Sequence, residues 1–180
     1  MKNNKNIVAE TDRLIITNFD ESMAMAVHLL SIDEANRRFQ PDEVFETEQD
    51  ALETIQYLTE HYGDINAPQV HPIILKESGE NIGHVELVPL DGGKWEIGYH
   101  IGERFTRMGY ASEAVKAFLP VMMEKFGLSE VLGICAAENF ASRSVLERCG
   151  FRLEYEGMGM YHGEERKKCD YKYCVIGEKA

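Results

Sequence analysis

No stretch of the 180 residues approaches the run of about 20 apolar residues that a membrane helix needs. The opening Met1-Lys2-Asn3-Asn4-Lys5-Asn6 also lacks the apolar core of a secretory signal. The cytoplasm is the expected compartment, and no membrane partner is expected. Cys135, Cys149, Cys169 and Cys174 form no Cys-x-x-Cys pair, and no histidine cluster stands at metal-ligand spacing. Cys135 and Cys149 fall inside apolar periodic segments, where a free thiol behaves as a small hydrophobe. Neither disulfides nor a metal are expected. Positive charge is also short: 19 Lys and Arg against 31 Asp and Glu leave a net charge of −12. Such a field repels a phosphate backbone, so nucleic acid is not an expected partner. It attracts a cationic acceptor such as an amine, although acidity also serves plain solubility. Internal repeats, low-complexity tracts and linker-like stretches are missing, and residues 1–180 read as one domain.

What is there has clear periodicity. Leu14 to Thr17 reads as a strand, and Asp20 stands as a helix cap ahead of Met23, Val27 and Leu30. Thr47 with Asp50 opens a second helix, with Ala51, Ile55, Leu58 and Tyr62 as its apolar stripe. Three strands follow, Val70 to Lys76, Ile82 to Leu90 and Lys94 to Ile101, joined by turns at 78–81 and 91–93. On the third, Trp95, Ile97, Tyr99 and Ile101 share one face, and Glu96, Gly98 and His100 share the other. Glu86 is assigned the face of Ile82 and Val88, an odd place for a carboxylate without a task. A long helix runs from Gly109 to Phe126, with Pro120 expected to kink it. A strand from Val131 to Ala137, a helix from Ala141 to Cys149, and strands at 151–160 and 168–176 complete the chain. Meandering strands followed by strand–helix–strand crossings imply an α/β (α+β) mixed sheet, about seven strands with helices on both faces.

Two segments carry chemistry. Met108-Gly109-Tyr110-Ala111-Ser112-Glu113-Ala114 opens the long helix, and free amides at a helix start, backed by its dipole, bind anions. Small residues at Gly109 and Ala111 let a phosphate approach the backbone. The dinucleotide fingerprint Gly-x-Gly-x-x-Gly is absent. Taken alone this is ordinary helix-start chemistry. The second segment runs from Asn139-Phe140-Ala141-Ser142 to Cys149-Gly150-Phe151. Together the two resemble the GNAT acetyltransferase superfamily: Thr106 to Ala111 matches its (Gln/Arg)-x-x-Gly-x-(Gly/Ala) loop, and Asn139 onward its Asn-x-x-(Ala/Ser)…Gly-Phe pattern. Ile97-Gly98-Tyr99 and Thr11-Asp12-Arg13-Leu14 look most like the branch that includes the RimJ and RimL ribosomal-protein acetyltransferases.

The resemblance implies the acyl-CoA N-acyltransferase fold and acetyl-CoA as cosubstrate. It implies backbone contacts from Tyr99, His100 and Ile101 to the pantetheine arm, with Arg107, Met108, Gly109, Tyr110, Ala111 and Ser112 around the pyrophosphate. Asn139 and Ser142 would lie beside the pantetheine and the sulfur, although Asn139 also reads as a plain helix cap. Three residues depart from the pattern. Thr106 stands in place of Gln or Arg. Arg107 stands in place of Gly, where a left-handed backbone would be strained although the charge suits a phosphate. Leu146 replaces a tyrosine thought to protonate the departing thiolate.

The expected reaction is direct attack of a neutral amine on the thioester, with a backbone N–H of the Gly98–Ile101 strand stabilising the oxyanion. Ser142 either polarises the sulfur or only hydrogen-bonds the pantetheine. Glu96, then Glu86, are the candidate bases, with Glu154 and Glu156 further carboxylates; a solvated surface face is the competing reading for each. The acceptor is a peptide or ribosomal-protein N-terminus, or a small amine such as a metabolite, polyamine or antibiotic. An α-amine, with a pKa near ~8, needs a weaker base than a lysine near ~10.4. A non-catalytic acyl-CoA-binding module is the third reading. The sequence does not specify the oligomeric state.

Overall fold

The computed structural model describes residues 6–175. The polar opening at residues 1–5, and Ile176 at the expected end of the last strand, lie outside the described residues.

The strands are β1 (Ile7–Glu10), β2 (Leu14–Thr17), β3 (Gln69–Leu75), β4 (Asn81–Leu90), β5 (Lys94–Ile101), β6 (Glu130–Ala136), β7 (Arg152–Tyr161) and β8 (Glu164–Cys174). They form one eight-stranded sheet in the order β1-β2-β3-β4-β5-β6-β8-β7. Every pairing is antiparallel except β5 with β6. The helices are α1 (Ala24–Ser31), α2 (Glu34–Phe39), α3 (Glu48–Glu60), α4 (Tyr110–Phe126) and α5 (Phe140–Arg148).

Strand alternation decides which helix covers which face. His71, Val85 and Leu87 turn toward α4, where Ala114, Val115, Phe118 and Met122 are fully buried. Each such side chain contributes roughly 1.5–3 kcal/mol on burial, apart from the smaller alanine. Val70, one register step away, packs with Phe19, Ala24, Ile55 and Leu58 under α1 and α3. Helices therefore lie on both faces, as the mixed-sheet expectation requires. Among the described residues no helix is long and apolar enough to cross a membrane.

Three differences from the sequence reading have local causes. β1 raises the strand count to eight; it is a short, half-exposed edge strand whose four residues carry little alternation. α2 occupies a stretch to which the sequence reading assigns no element, because Asp33 caps it by accepting from the Asn36 N–H at 2.7 Å. β8 begins at Glu164, four residues early, because a tight turn at His162-Gly163 joins it to β7. The capping box of Thr47 and Asp50 is present at the start of α3. α4 runs on as one helix through Pro120.

Candidate active site

The functional cleft exists because β5 and β6 part. Their parallel ladder is limited to Glu96 opposite Leu132, whereas β4 follows β5 along its whole length. Beyond Glu96, the β5 main chain borders a cleft of about 750 Å³ whose other wall includes Ile134, Asn139 and Ser142. One end of the cleft lies on the α4 face of the sheet and the other on the opposite face.

At the α4 end, Gly109 has φ 83 and opens the helix with no side-chain cap. The first helical bond is Glu113 N–H to the Gly109 carbonyl at 3.0 Å. The amides of Tyr110, Ala111 and Ser112 find no acceptor among the described residues. That is the uncapped, dipole-backed set of donors an anion requires. Glu113 in this first turn is neutralised by Arg13 and accepts from Thr11 Oγ1 at 2.5 Å. Arg13 also donates to the Met108 carbonyl at 3.1 Å and covers the Tyr110 ring. Arg107 is exposed, with φ 62, so the strained left-handed backbone is real. Met108 is exposed and Ser112 is buried.

The middle of the cleft joins β5 to α5. The Tyr99 hydroxyl lies 3.0 Å from Ser142 Oγ and 3.1 Å from the Ser142 carbonyl, which accepts from it. Burial pushes the Tyr99 pKa far up, so the phenol stays protonated. Asn139 caps α5, its side-chain oxygen accepting from the Ser142 N–H at 3.1 Å. Leu146 is 1% exposed and packs over Gly133 in the core, pointing away from the cleft.

The far end is acidic. Glu96 is half-buried beside the Ile134 amide, and burial, followed by the Glu86 charge, pushes its carboxyl up to about 8. Glu86 is 8% exposed, and burial together with Glu43 pushes it up to about 8 as well. Its face differs from the one expected. Gly83 sits at a bulge that turns Ile82 into the core with Val85 and Leu87, leaving Glu86 with His84 and Val88. Glu86 stands directly opposite Gly98, and a Cβ there would meet its Cγ at 2.8 Å. Only glycine admits that carboxylate. The His100 ring turns away from the α4 end: its Nε2 lies 3.2 Å from Asp33 Oδ2 and 3.1 Å from the Leu30 carbonyl. Glu154 and Glu156 pair with Lys172, and with Arg143 and Lys167, outside the cleft. All four cysteines are free, and only Cys174 is exposed.

The sequence reading missed Glu43, His84, Tyr161 and His162. Glu43 reaches the cleft from a turn at Pro41–Glu43, and His162 Nδ1 lies 2.7 Å from Asp42 Oδ2, tying that turn to the β7–β8 hairpin. Ala35, Phe39, Gln40 and Glu43 line this end of the cleft, whereas α3 and residues 63–69 contribute nothing to it.

The profile of the acetyltransferase (GNAT) domain matches residues 13–152. The N-acetyltransferase YnaD of Bacillus subtilis, described as uncharacterized, is 32% identical over 179 residues, 94% of this chain and 96% of its own. A GNAT-family acetyltransferase from Bacillus anthracis superposes with a TM-score of 0.80 at 25% identity, covering 92% of this chain and 97% of that one. RimL, a ribosomal L7/L12 alpha-N-protein acetyltransferase solved with coenzyme A, superposes with a TM-score of 0.80 over 96% of this chain and 99% of its own. Its identity is 19%, so that likeness speaks to the fold.

Proposed function

The chain belongs to the GNAT acetyltransferase family, and from that premise we propose that it transfers acetyl from acetyl-CoA to a small primary amine by direct attack. The observation that carries this reading is the uncapped, Gly109-led start of α4 facing a β5 edge freed from β6. The diphosphate is held by the Tyr110, Ala111 and Ser112 amides, the loop at Met108–Gly109 and the Arg107 charge. The pantetheine arm follows the main chain of Tyr99, His100 and Ile101 toward Asn139 and Ser142.

Glu96 is the base. A carboxyl raised to about 8 is partly ionised near neutrality and strong enough to take a proton from an amine. The amine nitrogen bonds to the carbonyl carbon, its proton passes to Glu96, and a β5 N–H holds the oxyanion. Collapse breaks the C–S bond, and the thiolate leaves as such, its charge met by a hydrogen bond from the Ser142 hydroxyl, which Tyr99 orients, while Glu96 passes its proton to solvent. Leu146 supplies no acid. A thiol of pKa near ~8.5 leaves without a strong one. Glu86 is the second candidate base.

Two features favour a small acceptor over an extended peptide. The acceptor end is roofed by the Pro41–Glu43 turn, and His162 fastens that roof to the β7–β8 hairpin. A peptide N-terminus is the second reading, favoured by the weak basicity of an α-amine. Thiol release from acetyl-CoA, measured across small amines and short peptides, tests both. Turnover should rise with pH toward 8, and Glu96→Gln should remove the part of that rise not due to the amine. No calorimetric uptake of coenzyme A would end the reading.

A further inference from the structure

Beyond Glu96 stands a group of side chains that transfer with Glu96 as the base leaves unused. Glu43, His84 and Glu86 bring one donor atom each into a space where all three atoms lie within 4.8 Å of one another. Glu43 Oε2 and His84 Nε2 are 3.0 Å apart, yet neither makes a well-formed hydrogen bond. Glu86, more than nine-tenths buried and lying over Gly98, comes within hydrogen-bonding reach of Glu43 and has no ion-pair partner among the described residues.

Glu86 is buried and Glu43 half-buried, and two carboxylates this close cannot both stay ionised unless a cation lies between them, so on their own they keep a proton. The chain's own basic side chains nearby have other partners. Lys168 is held by Asp170 at 2.8 Å, His100 faces Asp33, and His162 faces Asp42. Burial lowers the pKa of His84 and so disfavours its charged form. A positive charge from outside would take the place of the proton that the pair otherwise keeps.

The way in is the acceptor's own. Glu43, Glu86 and Glu96 line one continuous cleft, so one small molecule can reach all three. Glu86 opposes Gly98 and Val88 opposes Glu96, which makes Glu86 and Glu96 diagonal neighbours on one face. Such neighbours stand roughly 7–8 Å apart, about the span of an alkyl chain with an amine at each end.

Resting on the amine-transfer reading above, we propose that the Glu43–His84–Glu86 cradle holds a second positive charge of the acceptor, making the substrate a small alkyl diamine. One amine is acetylated beside Glu96 while the other, as ammonium, donates to Glu43 and Glu86. The donor set also suits a divalent ion, but Glu43 and Glu86 line the same cleft as Glu96, which favours the ammonium.

The test is kcat/KM by thiol release for 1,4-diaminobutane and 1,5-diaminopentane against 5-amino-1-pentanol, an acceptor of like length whose far end is uncharged. At least one diamine should exceed the amino alcohol by about tenfold or more, equivalent to about 1.4 kcal/mol. Glu43→Gln should remove most of that preference while costing the amino alcohol far less. The wild-type protein with coenzyme A bound should also gain Tm on adding the preferred diamine and not on adding the amino alcohol, a readout independent of any variant's folding. Equal kcat/KM for the diamines and the amino alcohol would overturn the proposal and leave amine transfer standing. A Tm gain with manganese or zinc that Glu43→Gln abolishes, with activity lost to a chelator, would overturn it in favour of a metal site. Coenzyme A binding with no amine acetylated would remove the transfer reading itself.

Discussion

Arg107 combines a backbone cost with an electrostatic gain, and two substitutions separate them. At φ 62 a residue bearing a Cβ is strained by roughly 1–2 kcal/mol. Glycine relieves that strain but makes the unfolded chain freer by roughly 0.5–1 kcal/mol. Arg107→Gly should therefore stabilise the fold by about 0.5–1 kcal/mol, whereas Arg107→Ala keeps the strain and removes only the charge. Both variants lose the cation beside the first turn of α4. For an exposed charge on a phosphate this contributes about 1 kcal/mol, a roughly fivefold weakening of coenzyme A binding. Urea denaturation of the three proteins, with calorimetric titration of coenzyme A, reads both quantities. Equal stability of the Ala and Gly variants would show that the left-handed backbone carries no strain. Wild-type affinity in both variants would show that the charge does not hold the diphosphate.

Gly98→Ala places a methyl where the Glu86 side chain lies, and the carboxylate must move. Turnover should fall on the order of 100-fold, the scale of a 1 Å misplacement, with the circular dichroism spectrum unchanged; wild-type turnover would show that Glu86 need not sit there. Glu86→Gln should flatten the pH dependence of stability. The native carboxyl, raised to about 8, binds a proton between about 4.5 and 8 that the unfolded chain releases, so its contribution is fully present below that window and lost as pH rises through it. The Gln variant should thus gain Tm over wild type at pH 8 more than at pH 5, and an equal gain at both would contradict this. Leu146→Tyr should cost roughly 1–3 kcal/mol by overpacking against Gly133, whose Cβ position is already 2.5 Å from Leu146 Cδ2. It should not raise kcat, because the side chain points into the core; a higher kcat would mean the new hydroxyl reaches the sulfur.

The donor end of the cleft was legible because it is built from contiguous residues. Gly109, the small residues after it and the long apolar stripe of α4 all lie within one stretch of chain, so local rules suffice. The acceptor end was not. Glu43 comes from a turn that follows an unexpected helix, and its partner His84 lies 41 positions away by number. Glu86 drew attention as a misplaced carboxylate, but its face was misassigned, because a bulge at Gly83 is not encoded by alternation alone.

Local sequence thus determined the strand faces around Trp95–Ile101, the capped start of α3 and the anion-ready start of α4, since each depends on hydrogen bonds and side-chain periods within a few residues. Only tertiary structure decided that β5 and β6 separate after Glu96, that Tyr99 meets Ser142, that Leu146 turns inward, and that Glu43, His84 and Glu86 come within reach of one another. Those outcomes depend on strand register and on packing between distant segments, and no period of 2 or 3.6 residues records them.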